Sequence, residues 1–304
     1  YRGVHAKVAE GLLLVAQSGS GKSTLIRNYE EQFPRYLLAG VMMVTVLRVE
    51  TPEAPTVKTL AEAILLELND PYASKGNGTQ KTDRIIYLCK RCGVQLLILD
   101  EFQHFSDSGR IREAERVTNW LKLLLLKLQI PVVVVGLPRS IAVVNSNPQL
   151  RRRFGAPHYL APFSLDSEAE RLEFRGVLKQ LGKGLPPGSV QVDEPQLAQR
   201  FFHASCGLMD YLVKIVDDAA SRGGTGVNGA ITLADLSMAF KRTVWSVVPD
   251  RLDPFGQRPQ MRLLTRLGEP FEGQDNIATY LLGGRAHRAA AAPTTPGASH
   301  AAQR

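Results

Sequence analysis

Ala16-Gln17-Ser18-Gly19-Ser20-Gly21-Lys22-Ser23-Thr24 is the stretch on which the reading of this chain turns. An apolar run, 11–16, leads into it and an amphipathic stretch, 22–32, leads out. It fits the phosphate-loop pattern G-x-x-x-x-G-K-[ST], except that Ala16 stands in place of the first glycine. The physics survives that exchange. Gly19 and Gly21 let the backbone wrap an anion with its N–H groups, and the helix opening near Lys22 offers its positive dipole end. Lys22 is placed to reach the β- and γ-phosphates, and the Ser23 hydroxyl to ligate magnesium. Ser18, Gly19, Ser20, Gly21, Lys22, Ser23 and Thr24 are therefore the candidate nucleotide-binding residues.

The next informative stretch is Leu96-Leu97-Ile98-Leu99-Asp100-Glu101, an apolar strand ending in two carboxylates. Asp100 is placed to hold the magnesium shell, and Glu101 to polarise an attacking water. A paired Asp-Glu argues against a small-molecule kinase, which rarely needs a water-activating glutamate there. The implied ligands are ATP and Mg2+, and the implied reaction is hydrolysis to ADP and phosphate.

Around these motifs, short apolar runs alternate with longer amphipathic ones. Runs 11–16, 41–49, 94–99 and 130–136 read as buried strands, and 158–161 as a weaker fifth. Stretches 22–32, 55–68, 81–91 and 110–128 read as helices. This alternation predicts a five-stranded parallel sheet covered on both faces. After Pro162 the strand pattern stops. Stretches 167–181, 194–203, 208–221 and 233–244 read as amphipathic helices, the first capped by Asp166 or Ser167. The expected organisation is an α/β domain over 1–163 and a small all-helical domain over 164–248. An irregular extension over 249–284 and a disordered tail over 285–304 follow.

Composition narrows the partners. At 44% hydrophobic and 22% charged residues, the chain reads as a globular protein that can bury its own core. No apolar run is long enough to span a bilayer and no secretory signal opens the chain, so the expectation is a cytoplasmic protein without a membrane partner. It begins at Tyr1 rather than Met, which suggests that upstream sequence has been trimmed. The three cysteines suit a reducing compartment, and Cys89-x-x-Cys92 lacks the second pair that a zinc site needs. The net charge of +8 suits a phosphate-backbone partner, although several of the charges lie in the tail.

These residues resemble the TniB/TnsC family of AAA+ regulators of transposition. The resemblance rests on 16–23, Asp100-Glu101-Phe102-Gln103-His104-Phe105, Val135-Gly136-Leu137-Pro138, 150–154 and Asp253-Pro254-Phe255. It implies an AAA+ P-loop fold with a helical lid, and ATP-dependent rings or helical filaments around double-stranded DNA. It also implies recruitment of a transposase and cooperation with a target selector of the TniQ type. AAA+ proteins usually carry a polar sensor at the tip of the fourth strand. Here the tip is Gly136-Leu137-Pro138, and Gln103 or His104 is the candidate substitute. Within Leu150-Arg151-Arg152-Arg153-Phe154, Arg153 and then Arg152 are candidates for a finger reaching a neighbour's γ-phosphate. A DNA contact or a solvated cluster suits them too. Asp210 stands where many AAA+ proteins place a second sensor arginine, with Lys214 one turn on, which fits a slow switch better than a motor.

For DNA, the loop 74–81 is basic, acid-free and expected to be flexible. Lys75, Thr79 and Lys81 are its candidate contacts, with Lys58 and Thr56 beside them. Two other functions use the same motifs: a replication initiator or clamp-loader subunit, and a nucleotide-gated scaffold with no DNA role.

Overall fold

In the computed structural model, residues 11–107 and 111–272 are described; the expected tail 285–304 and the end of the extension lie outside them. The chain divides at Pro162 and Phe163 into two compact units, and Leu208–Asp210 count with the first.

The first unit is built on a five-stranded sheet. Its strands are β1 (Gly11–Ala16), β4 (Val46–Glu50), β5 (Leu96–Asp100), β6 (Val132–Gly136) and β7 (His158–Leu160), in the order β4-β5-β6-β1-β7. Every pairing in it is parallel. Crossovers between parallel strands need helices, and the sequence supplies α1 (Lys22–Glu31), α2 (Val57–Glu67), α3 (Gly78–Arg91) and α5 (Ile111–Leu128). Short helices α4 (His104–Asp107), α6 (Ser140–Asn145) and α7 (Pro148–Phe154) fill the connections at the site. Leu13 and Val15 of β1, Leu47 and Val49 of β4, Leu97 and Leu99 of β5, and Val132 and Val134 of β6 pack with Leu60, Ile64, Leu121 and Leu124 in one core, while Val46, Ile98 and Val135 pack with Ile26 of α1 in a second.

The expected strand 41–49 is corrected. Its first part, β3 (Val41–Met43), turns back antiparallel on β2 (Tyr36–Leu38), and only 46–50 joins the main sheet. Ala39 and Gly40, both at positive φ (48° and 76°), make the two-residue turn that a hairpin requires. The Val44 N–H instead donates to the Cys92 carbonyl at 2.8 Å, which breaks the run.

The second unit is helical: α8 (Glu168–Gly182), α9 (Pro195–Ser205), α10 (Met209–Arg222, whose first two residues count with the first unit) and α11 (Leu233–Thr243). Ser167 caps α8 through a reciprocal pair with Glu170. After α11 a 3-10 turn, Asp250–Leu252, precedes chain with no helix or strand as far as residue 272. That chain is anchored rather than loose. The Phe255 ring packs edge-on to Phe201 and Phe240, and Arg200 donates to the Pro254 and Gly256 carbonyls at 3.2 and 2.9 Å.

Candidate functional site

The phosphate loop forms as its glycines require. Gly19 (φ 78°) and Gly21 (φ 92°) occupy the left-handed region, and the Ser20 hydroxyl closes the turn on the Gln17 carbonyl at 2.8 Å. Gly21 is the N-cap of α1. No side chain caps that helix and no acid sits in its first turn, so its leading N–H groups face outward for an anion. Lys22 is only 7% exposed, and no carboxylate pairs with its ammonium among the described residues. The stem is buried while the ammonium has no carboxylate to answer it, so the arrangement suits an anionic ligand. The N–H of Asp210 donates to the Gly19 carbonyl at 2.9 Å, so this residue supports the loop's backbone. In the second unit the Lys214 ammonium lies over the Tyr211 ring, 5.4 Å from its centre.

The acidic pair ends β5, two strands from β1 with β6 between them. Ligands of open parallel sheets bind at this carboxyl end of the strands. Asp100 is fully buried. One of its oxygens accepts the Glu101 N–H at 2.9 Å, and the other accepts from Arg48 of β4 at 2.8 Å. Two lone-pair sites of four are then left for the water shell of a metal. The Ser23 hydroxyl makes no hydrogen bond among the described residues. No cluster of three or more His, Cys, Asp or Glu there could hold a metal by itself. This donor set fits a magnesium ion that arrives with nucleotide phosphates, which supply its remaining oxygens.

Glu101 itself is strained, at φ 55°. Of the two expected sensor substitutes, Gln103 is 3% exposed and His104 half-buried. The Gln103 amide donates to the Glu101 carboxylate, while its carbonyl accepts the Leu137 N–H at 3.1 Å. The His104 Nδ1 lies 2.8 Å from the Thr51 carbonyl oxygen and so carries the proton.

Sequence reasoning missed two partners. Arg48 is one; an arginine within a strand pattern gives no hint that it will cross to an acid on the next strand. The other is Arg139, just past the tip of β6, which pairs with Asp107 of α4, one of its two bonds measuring 2.7 Å. That contact holds the Asp107 carboxyl below the usual carboxylate range. The Asp107 bond also raises the Arg139 guanidinium, with the charge of Glu101 adding to it.

The arginine cluster occupies the last turn of α7, where cations suit the helix dipole. Asn147 caps the helix, and the Phe154 ring seats against Gly11 of β1; a side chain at Gly11 would meet that ring at 2.6 Å. Arg151 and Arg152 are exposed and Arg153 half-buried, and none forms an ion pair among the described residues.

The loop 74–81 is corrected in two respects. From Gly78 onward it is helix α3, and the remainder is clamped from beneath. Lys81 is fully buried: its ammonium donates to the Ala73 carbonyl and pairs with Glu62 at 3.0 Å. It is committed to the fold and cannot also serve a phosphate. Arg84 adds bonds to the Tyr72 and Lys75 carbonyls and an ion pair with Asp70. Lys58, Lys75 and Thr79 are exposed, whereas Thr56 caps α2. Cys89 and Cys92 are buried thiols; burial, with the Cys92 charge adding, pushes Cys89 up to about 12.

A family model for bacterial TniB proteins matches residues 4–164, more than half of the chain. The chain belongs to the TniB family. No curated protein matches it in sequence. Among solved structures it is similar to the Cdc6p protein of Pyrobaculum aerophilum, with a TM-score of 0.57 at 15% identity. That match covers 80% of this chain and 62% of the other. It is similar also to the ADP form of the Aeropyrum pernix ORC2 protein, with a TM-score of 0.55 at 14% identity over 80% and 66%. The A. pernix ORC1 protein, solved in complex with DNA, gives 0.53 at 16% over 77% and 59%. The chain thus spans under two thirds of the length of these structures. At such identities the likeness is one of fold, that of the AAA+ P-loop ATPases. No helix among the described residues is long and apolar enough to cross a membrane.

Proposed function

We propose that this TniB-family chain is an ATPase switch that binds ATP with Mg2+, oligomerises on duplex DNA in that state, and regulates a transposase. The observation that carries the nucleotide reading is the buried, carboxylate-free Lys22 under an uncapped helix N-terminus. In this reading the loop's N–H groups and Lys22 hold the β- and γ-phosphates, while Ser23 and Asp100 hold the metal with its waters. Bound magnesium neutralises charge on the phosphates. Glu101 takes the proton of the attacking water, and Arg153, or else Arg152, reaches the γ-phosphate of a neighbouring copy. Three arginines in the last turn of α7, none in an ion pair among the described residues, support that last step. Residues 164–248 serve as the lid. Membership of the TniB family supports, as part of the same proposal, a transposase and a TniQ-type selector as partners and a cytoplasmic setting.

The DNA reading draws on the net charge of +8 and on Lys58, Lys75 and Thr79, which are exposed around a loop fixed in place. Contacts of this kind go to phosphates, so binding is sequence-tolerant and salt-sensitive. The test is a salt titration of mobility shift on two unrelated duplexes, with an ATP analogue, with ADP and without nucleotide. The expected result is analogue-dependent binding equal on both duplexes, with affinity falling on a log–log slope of about −0.9 per phosphate neutralised. Lys75→Ala should lower the slope. A flat salt response, or binding indifferent to nucleotide, would leave the scaffold without DNA as the better reading. Binding confined to one of the two duplexes would favour an initiator.

A further inference from the structure

The tip of β6 and the residue after the acidic pair form one unit. Gly136 has no side chain to offer at the position where a polar group would face the site, and its neighbours explain why. A Cβ there would lie 2.8 Å from the Gln103 Oε1 and 3.2 Å from the Gln103 backbone nitrogen, and would collide with the Ser140 hydroxyl. The space is occupied by Gln103. Its own backbone is fixed, because the Phe102 N–H donates to the Val135 carbonyl at 2.9 Å and the Phe102 and Phe105 rings pack 4.8 Å apart. From there the side chain uses both ends: the amide N–H on the Glu101 carboxylate, and the carbonyl on the Leu137 N–H.

We infer that Gln103 is the positioning residue of Glu101, tying the water-activating carboxylate to the tip of β6 in place of a polar side chain on the tip itself. The inference rests on the hydrolytic reading above and deepens it. Glu101 sits at φ 55° at the end of its strand, a conformation that only surrounding contacts sustain. Its carboxylate has three rotatable bonds, and a general base works only within hydrogen-bond reach of its water. A buried amide donating to it removes that freedom. Because the other end of the amide is held by backbone, the carboxylate moves only when the β6 tip moves.

The experiment measures kcat and KM for ATP, and affinity for a non-hydrolysable analogue. It compares wild type, Gln103→Met, Gln103→Ala, Gly136→Ala and the double variant Gln103→Met/Gly136→Ala. Methionine keeps the volume but donates nothing, so Gln103→Met isolates the hydrogen bonds; Gln103→Ala, which only removes atoms, serves if methionine does not fit. Loss of positioning should lower kcat by about 10- to 100-fold. KM and analogue affinity should stay within about twofold, since no ground-state contact to nucleotide is lost. Gly136→Ala should act by displacing Gln103, so the double variant should be no worse than the poorer single one. Wild-type kcat in both Gln103 variants, an increase in kcat, or losses that multiply in the double variant would each overturn the inference. Glu101→Gln runs alongside: if it hydrolyses as fast as wild type, the hydrolytic reading fails first, and the two failures are told apart.

Discussion

Replacing Lys81 with alanine separates fold from DNA contact. The side chain is fully buried, so truncation removes about 2 kcal/mol of methylene burial. It also removes a charged hydrogen bond to the Ala73 carbonyl, a contribution of about 1.5–3 kcal/mol. Glu62 loses its partner, but at 27% side-chain exposure water takes that partner's place, and the pair itself adds little. Relief of the buried ammonium's desolvation works in the opposite direction. The expected net loss is about 2–4 kcal/mol in urea unfolding followed by helical circular dichroism. Lys81→Met keeps most of the packing and should lose less. Lys75→Ala, at an exposed position, should leave stability within about 0.5 kcal/mol of wild type while weakening DNA binding. Faster amide exchange over 70–77 in Lys81→Ala would report the loosened loop. Wild-type stability together with a reduced salt slope for DNA binding would refute the reasoning and return Lys81 to the phosphate contacts.

Hydrolysis should rise with protein concentration if Arg153 acts on a neighbour, as proposed. Arg153→Ala mixed with Lys22→Ala should recover activity that neither has alone, measured as phosphate release. Normal hydrolysis by Arg153→Ala would move the finger to Arg152 or elsewhere. In the helical unit, burial lowers the His203 imidazole below its ordinary 6.5, opposed by a hydrogen bond from the ring to the Arg262 backbone. The unfolded chain then binds the proton more readily than the native one. Stability should therefore be full above about pH 6.5 and decline as pH falls toward the lowered native value. His203→Leu should flatten that decline in thermal melts between about pH 5 and 7; an unchanged slope would assign the acid loss to carboxylates.

What the sequence disclosed depended on the range of the forces. The phosphate loop and the β5 carboxylates were legible because backbone conformation and strand termination are set within a few residues. Gly21 must adopt positive φ wherever the chain lies. The hairpin 36–43 was not legible, since the apolar run 41–49 is broken only by the Val44 bond to Cys92, half a domain away in sequence. Lys81 was misread because lysine is almost never fully buried, and its acceptor is a backbone carbonyl that carries no side-chain signature. Gln103 stands out in the sequence only by its place after the acidic pair. Its partner Leu137 lies 34 residues on, and only the sheet brings them together. Arg48 and Asp100, 52 residues apart, meet for the same reason.

If Lys22 binds ATP and Glu101 hydrolyses it, as proposed, variants of the two separate binding from hydrolysis. Single-turnover hydrolysis and ATP affinity are determined side by side for wild type, Lys22→Ala and Glu101→Gln. Lys22→Ala should lose nucleotide binding, while Glu101→Gln should bind ATP as wild type does and hydrolyse it about 100-fold more slowly or worse. Undiminished ATP affinity in folded Lys22→Ala, or wild-type turnover in Glu101→Gln, would contradict the account.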